Sequence, residues 1–273
     1  MAAVQITEYT DPGCPFAFSA EPHRWRLRWR YGDQLEWRLR MVVLSETTED
    51  YAAKGLTAEI LASGNDRLAR EHGMPMDTRV KPRLWATAPA CRAVVAAREH
   101  APELEWLLLR RLRVRNFEGA LLDEEATIAG AAADVGLDPD ALARWMASVS
   151  LEEDMRAARS PSPAALAQPH KLAAWAGGMR YTCPSYELST GHSIPGFQPW
   201  PAYEIALANA APELERREPP TDVAELLRWA GTPLASAEVA AVMEIDRFAA
   251  REALGRVAVE HHVGADGFWT LTG

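Results

Sequence analysis

Apolar and polar residues alternate along Val4-Gln5-Ile6-Thr7-Glu8-Tyr9, which predicts a short strand. Asp11-Pro12-Gly13 is a turn cluster. A helix-compatible stretch follows over about 15–31, with Pro15 in the first turn, where a proline is tolerated, and Gly32-Asp33 as its stop. Leu35, Trp37, Leu39, Met41 and Val43 then recur every second residue and predict a second strand. A right-handed crossover would make the two strands parallel.

The pattern changes after the second strand. Over 51–168 the chain is rich in Ala, Leu, Glu and Arg at helical spacing, which predicts five to six helices and no strand. One helix begins near Asp123, and another opens at Asp138-Pro139 with Leu142, Trp145, Met146 and Val149 on one face. Strand signals return over 181–188 and 192–198 around the turn Ser189-Thr190-Gly191, so this pair reads as a hairpin. A helix over about 199–209 follows, and Glu218-Pro219-Pro220-Thr221 reads as a linker. The tail predicts two or three helices and a short hairpin around Gly264-Ala265-Asp266-Gly267, in a winged-helix-like order. The predicted organisation is an α/β domain over 1–217, split by an all-helical insertion at about 46–170, plus a small module over 221–273.

Composition narrows the functions. The chain is 48% hydrophobic and 25% charged, as in ordinary globular proteins. No apolar run approaches the roughly 20 residues that span a bilayer, and the first residues carry no basic, then apolar, leader pattern. No membrane partner and a cytoplasmic location are expected. The net charge of −9 gives no general attraction to nucleic acid. The run from Arg24 to Arg30 alternates arginines with Trp25, Leu27 and Trp29, a pattern that could stack on bases. The reading preferred here packs the tryptophans inward and pairs the arginines with carboxylates. Arg247, Arg251 and Arg256 in the tail are interrupted by Asp246 and Glu252, so the module is read as packing or dimerising (a homodimer is one use open to it) and not as binding DNA. The seven histidines show no metal-ligand spacing; His23 is placed at the surface, His192 in the hairpin, and His261-His262 in the open.

Three cysteines do not make a disulfide framework. Cys91 sits in an Ala- and Val-rich helix and reads as a buried spectator. Cys14 differs. It lies between a turn and the first helical turn, where free N–H groups favour a thiolate, and just past the end of a parallel strand.

Asp11-Pro12-Gly13-Cys14-Pro15-Phe16 resembles the active-site segment D-P-x-C-P-W/F-C of the DsbA-like thioredoxin superfamily. Thr182-Cys183-Pro184-Ser185-Tyr186 is similar to the segment that carries that fold's cis-proline. Pro195-Gly196-Phe197-Gln198-Pro199, with Tyr203 and Leu207, is similar to its G-x-Q-P stretch and closing helix. The FrnE-like and 2-hydroxychromene-2-carboxylate isomerase-like branch is the nearest in pattern, over about residues 3–212. The resemblance implies a thioredoxin-like fold and thiol-disulfide exchange at Cys14. It also implies a cis bond before Pro184, and a place for a low-molecular-weight thiol at Pro15, Phe16 and Pro184, with no tightly bound cofactor. The chain departs from the family where the second active-site cysteine is expected: that position is Ala17. An ordinary local dithiol cycle is therefore closed to it. The isomerase branch also lacks the dithiol but typically carries serine where Cys14 stands. Cys183 precedes the proline, where the family normally has no sulfur; it is either a replacement resolving thiol or a small apolar filler. Three functions stay open: a single-cysteine oxidoreductase acting on a small thiol or disulfide, a thiol-dependent isomerase or transferase for a small aromatic substrate, and a non-catalytic binding protein.

Overall fold

The computed structural model describes residues 3–272. Strand β1 (Val4–Thr10) buries every second residue. That periodicity carries Glu8 inside together with Val4 and Ile6. The predicted first helix is two: α1 (Pro15–Ser19) and α2 (Glu21–Tyr31), meeting at Ala20. Pro22 explains the break, because it has no N–H to continue the ladder from Phe18. Strand β2 (Leu35–Met41) runs parallel to β1, from Val4 opposite Leu35 to Thr10 opposite Met41. It ends before the predicted limit because Val43 turns out of the extended conformation at φ 58°.

The helical block contains α3 (Glu49–Ala53), α4 (Ala58–His72), α5 (Ala88–His100), α6 (Glu105–Phe117), α7 (Glu125–Asp134), α8 (Pro139–Met146), α9 (Glu152–Ala158) and α10 (Pro163–Leu166). These eight exceed the predicted five or six because α3, α9 and α10 have one or two turns, too short to show a period. Ala90, Ala93, Val94, Leu108, Leu112 and Ile128 share one core with Leu39 and Met41 of β2, so the insertion is built onto the sheet.

A two-stranded ribbon, β3 (Ala173–Trp175) and β4 (Gly178–Arg180), was not anticipated. Strand β5 (Ser185–Leu188) pairs antiparallel with β1, Ile6 opposite Leu188 and Tyr9 opposite Ser185. Residues 181–184, predicted as strand, form instead the loop that leads into it. Strand β6 (Ser193–Ile194) is shorter than predicted, because Pro195 and Pro199 follow and neither can donate to a ladder. The sheet order is β2-β1-β5-β6, the thioredoxin-like arrangement. Helix α11 (Trp200–Ala210) joins α2 on one face of the sheet, where Leu27, Tyr31, Tyr203 and Leu207 pack on Val4, Ile6, Tyr186 and Leu188.

The tail holds α12 (Val223–Ala230), β7 (Leu234–Ala235), α13 (Ser236–Met243), α14 (Arg247–Leu254), β8 (Ala258–Val263) and β9 (Asp266–Leu271), with sheet order β7-β9-β8. Helix, strand, two helices and a hairpin is a winged-helix order. Trp25 and Trp29 of α2 lie in one core with Leu226, Leu227, Val239 and Leu254 of this tail. Arg26 pairs with Glu244, and Arg30 with Glu204 and Glu244. The Arg–Trp run is therefore the seam between tail and sheet domain.

Beneath the seam runs a chain of buried charges. Glu8 pairs with Arg24 and, at 3.1 Å, with Arg113. Arg113 also pairs with Glu21, and Arg110 joins Glu21 at 3.4 Å to Glu238 at 2.6 Å. Strand β1, helices α2 and α6 and the tail's α13 are thus tied by one network. No described helix is long and apolar enough to cross a membrane.

Candidate thiol site

The site begins with Asp11. Its carboxylate is fully buried. One oxygen accepts from the Gly13 N–H at 2.7 Å, and the other from the Leu44 N–H and the Thr87 hydroxyl, each at 2.8 Å. The turn after β1 is thereby fastened to the segment after β2 and to the start of α5. Only glycine suits position 13, since a Cβ there would come within 2.7 Å of the Thr87 methyl. This turn delivers Cys14 to the N-cap of α1, where its Sγ accepts from the Ala17 N–H at 3.5 Å.

Across the end of the sheet stands the loop before β5. Its Cys183–Pro184 peptide is cis. The Thr182 hydroxyl donates to Lys171 O at 2.7 Å, while Ser185 Oγ donates to Thr182 O at 2.7 Å and accepts from the Gly196 N–H at 3.0 Å. These bonds hold Cys183 against the first cysteine: the Cys14 thiol donates to Cys183 O at 3.3 Å. Both cysteines are buried in one apolar cluster with Ala17, Val42 and Ala158.

Burial opposes charge on Cys14, but hydrogen bonding from the Cys183 thiol and from the Ala17 and Phe16 N–H groups outweighs it and holds the thiol below its ordinary range. Burial and the neighbouring Cys14 push Cys183 well up. Burial and Asp11 push Cys91 well up too; its Sγ donates to Asp11 at 3.4 Å. Of the three thiols, Cys14 alone is shifted towards the thiolate.

Cys14 and Cys183 open on a cavity of about 550 Å³. Tyr51, Trp85, Phe117 and Phe197 supply aromatic walls, and Lys54, His170, Lys171 and Arg180 supply cationic groups. Among the described residues no carboxylate lines it. Among the described residues, Lys54, Lys171 and Arg180 have no acidic partner; they donate to Leu44 O at 2.7 Å, Gln198 Oε1 at 3.3 Å and Tyr181 O at 3.0 Å.

The structure thus brings Cys14, Pro15, Phe16 and Cys183 together on one cavity, while Pro184 is buried and outside the lining. The cations and aromatic walls were not anticipated. His170-Lys171 after Pro169 was the one local signal available, and nothing in the sequence said what it would face. His23 was placed at the surface and is half-buried instead. Its ring packs 5.0 Å from Tyr203 and 6.0 Å from both Phe197 and Trp200, between α2 and α11. Burial, then Arg26 and His72, lower its pKa to about 4.

No family model and no curated protein matches the chain. Solved structures do. A putative protein disulfide isomerase from Nitrosomonas europaea shares 17% identity over 76% of this chain and 97% of its own, with a TM-score of 0.57. A probable DsbA oxidoreductase from Streptomyces coelicolor shares 18% over 80% of this chain and 93% of its own, with a TM-score of 0.56. The cytosolic disulfide reductase DsbM from Pseudomonas aeruginosa, solved with GSH, shares 18% over 75% of this chain and 99% of its own, with a TM-score of 0.53. About three quarters of the chain therefore has a DsbA-like thioredoxin fold.

Proposed function

We propose that the chain is a thiol-disulfide oxidoreductase whose attacking group is the Cys14 thiolate. One observation carries the reading: Cys14, alone among the cysteines, has a depressed pKa, and it opens on a cavity that holds cations and no carboxylate. In the first step the Cys14 sulfur attacks one sulfur of a disulfide R–S–S–R′. The Cys14–S–R bond forms, the old S–S bond breaks, and R′–S⁻ leaves and takes up a proton. Ala17 has no thiol to finish the reaction. A low-molecular-weight thiol is the natural co-substrate, and unpaired Lys54, Lys171 and Arg180 favour one that carries carboxylates. The DsbM structure with GSH supports a compound of this kind. Three cysteines without a disulfide framework suit a reducing compartment, so a cytoplasmic location belongs to the same proposal.

The aromatic walls favour a second reading, in which a thiol bound beside Cys14 assists isomerisation or transfer on a small aromatic compound. The two readings separate on incubation with a disulfide bearing carboxylates. The oxidoreductase reading expects a mixed disulfide on Cys14, found by peptide mass, and none in Cys14→Ser. It also expects Cys14 alkylation to reach half its maximal rate below the usual thiol value of about 8.5. Modification of Cys91 before Cys14, or a native Cys14 inert to disulfides at every pH, would overturn it.

A further inference from the structure

We propose that Cys183 is the resolving thiol of this site: it attacks the Cys14 sulfur of the mixed disulfide and leaves a Cys14–Cys183 disulfide across the end of the sheet. This rests on the reading of Cys14 as the attacking group.

Placement is the first argument. The usual position for a resolving thiol, one helical turn after Cys14, is the buried methyl of Ala17. On the other side the Cys14 sulfur already touches the backbone of Cys183, at 3.3 Å from its carbonyl oxygen. A disulfide requires Cα atoms about 4.4 to 6.8 Å apart, a separation with which the sulfur-to-carbonyl contact is compatible. Both cysteines line the same cavity, so a group R carried on Cys14 has room to leave when Cys183 attacks. The loop is not a loose strap: Thr182 and Ser185 pin it from both sides of Cys183.

The order of events is the second argument. In the resting protein Cys183 is kept as a thiol by burial and by its hydrogen bond and charge interaction with Cys14. A mixed disulfide on Cys14 has no negative charge and no longer accepts that bond in the same way. The influence of Arg180, which favours the Cys183 thiolate, then meets less opposition. Cys14 is thus the better nucleophile before the first exchange, and the opposition of Cys14 to a Cys183 thiolate is relieved after it. In the second step the Cys183 sulfur bonds to Cys14 Sγ, the Cys14–S–R bond breaks, and the Cys183 proton goes to R–S⁻. The oxidation now resides in Cys14–Cys183. Two monothiols, or one dithiol, of the small anionic class proposed above return it to the dithiol form and leave as a disulfide.

The test uses the full-length protein and a symmetrical small disulfide bearing carboxylates, followed by acid quench and peptide mapping. Wild type is expected to show a Cys14–Cys183 cross-link that reductant removes. Cys183→Ala is expected to stop at the Cys14–S–R adduct, which accumulates about tenfold over wild type. Turnover of the variant then depends on added monothiol. Ala17→Cys in the Cys183→Ala background restores a thiol one turn from Cys14 and is expected to clear the adduct again, which a purely structural defect at position 183 would not allow. Adduct on Cys14 in wild type with no cross-link, or unchanged turnover in Cys183→Ala, overturns the resolving role and leaves the Cys14 reading standing. No adduct in any variant overturns the Cys14 reading itself.

Discussion

Two regions of this molecule gather charge in opposite ways. At the junction of sheet, insertion and tail, Glu8, Glu21, Arg24, Arg110, Arg113 and Glu238 are all buried, and each has an oppositely charged partner. Around Cys14 the reverse holds: cations reach the cavity and no carboxylate answers them, in a chain whose net charge is −9. Burying charge costs several kcal/mol per ion unless opposite charge or several hydrogen bonds compensate it, and at the junction the compensation is ionic. The junction is therefore architecture, and it fixes β1, at whose end Cys14 hangs. The cavity cations have backbone and amide oxygens as partners, so a carboxylate entering from solution meets them without breaking a native ion pair.

The comparison breaks most visibly at the junction. Arg113→Met would strip Glu8 of one partner and Glu21 of its nearer one, and would leave the Thr10 hydroxyl without its donor. Removing one side of a buried pair costs about 3 to 5 kcal/mol. The Arg113→Met midpoint in urea is expected to fall accordingly. Arg38→Met, at the exposed Arg38–Glu36 pair, is expected to move it by less than about 1 kcal/mol. Equal effects of the two substitutions would show that the buried network does not tie the parts together.

Why one region was more legible than the other follows from chemistry. Turn residues, an N-cap cysteine and period-two strands are local signals, and 4–10, 11–16 and 35–41 could be read directly. That β1 and β5 would share one sheet was expected from element and motif order; their direct pairing was not predicted. The position of Glu8 was not, because alternation there breaks at a charged residue and only Arg24 and Arg113, 16 and 105 residues away, make burial tolerable. The break at Ala20 had a visible cause in Pro22 that a long helical period concealed. The β3–β4 ribbon has three residues per strand, below the length at which alternation means anything. The cavity is assembled from segments far apart in sequence, so its cationic character belongs to the fold and not to any window of the chain.

His23 lies between the two regions and gives an intermediate effect. Its ring is enclosed by Phe197, Trp200 and Tyr203, with Arg26 on its own helix and His72 of α4 as the charges that disfavour its proton. The unfolded value is about 6.5, and the folded one is about 4. Between these values the unfolded chain binds a proton that the folded one refuses, so stability rises with pH through that window. The contribution is complete above about pH 6.5 and lost as pH falls towards 4, and it amounts to roughly 3 kcal/mol. His23→Phe keeps an aromatic ring and is expected to show a flatter stability profile than wild type from pH 7 to 4.5. Parallel profiles would place His23 in contact with water.

The smallest expected effect sharpens the cavity side. Lys171→Gln and Arg180→Gln each remove one cation that has no acidic partner, so stability is expected to change by less than about 1 kcal/mol, unlike Arg113→Met. The rate of adduct formation on Cys14 with an anionic disulfide is expected to fall about threefold for each, the size of a single interaction between solvent-accessible charges. The fall is expected to vanish at about 1 M salt, where the screening length is near 3 Å, and to be absent for a neutral disulfide. Beyond this shared effect the two variants should part. Arg180 also favours the Cys183 thiolate, so Arg180→Gln is expected to slow the second exchange as well, leaving more Cys14 adduct at steady state, whereas Lys171→Gln slows only the first. Identical adduct levels in the two variants would remove Arg180 from the resolving step and reduce it to one more cation of the cavity.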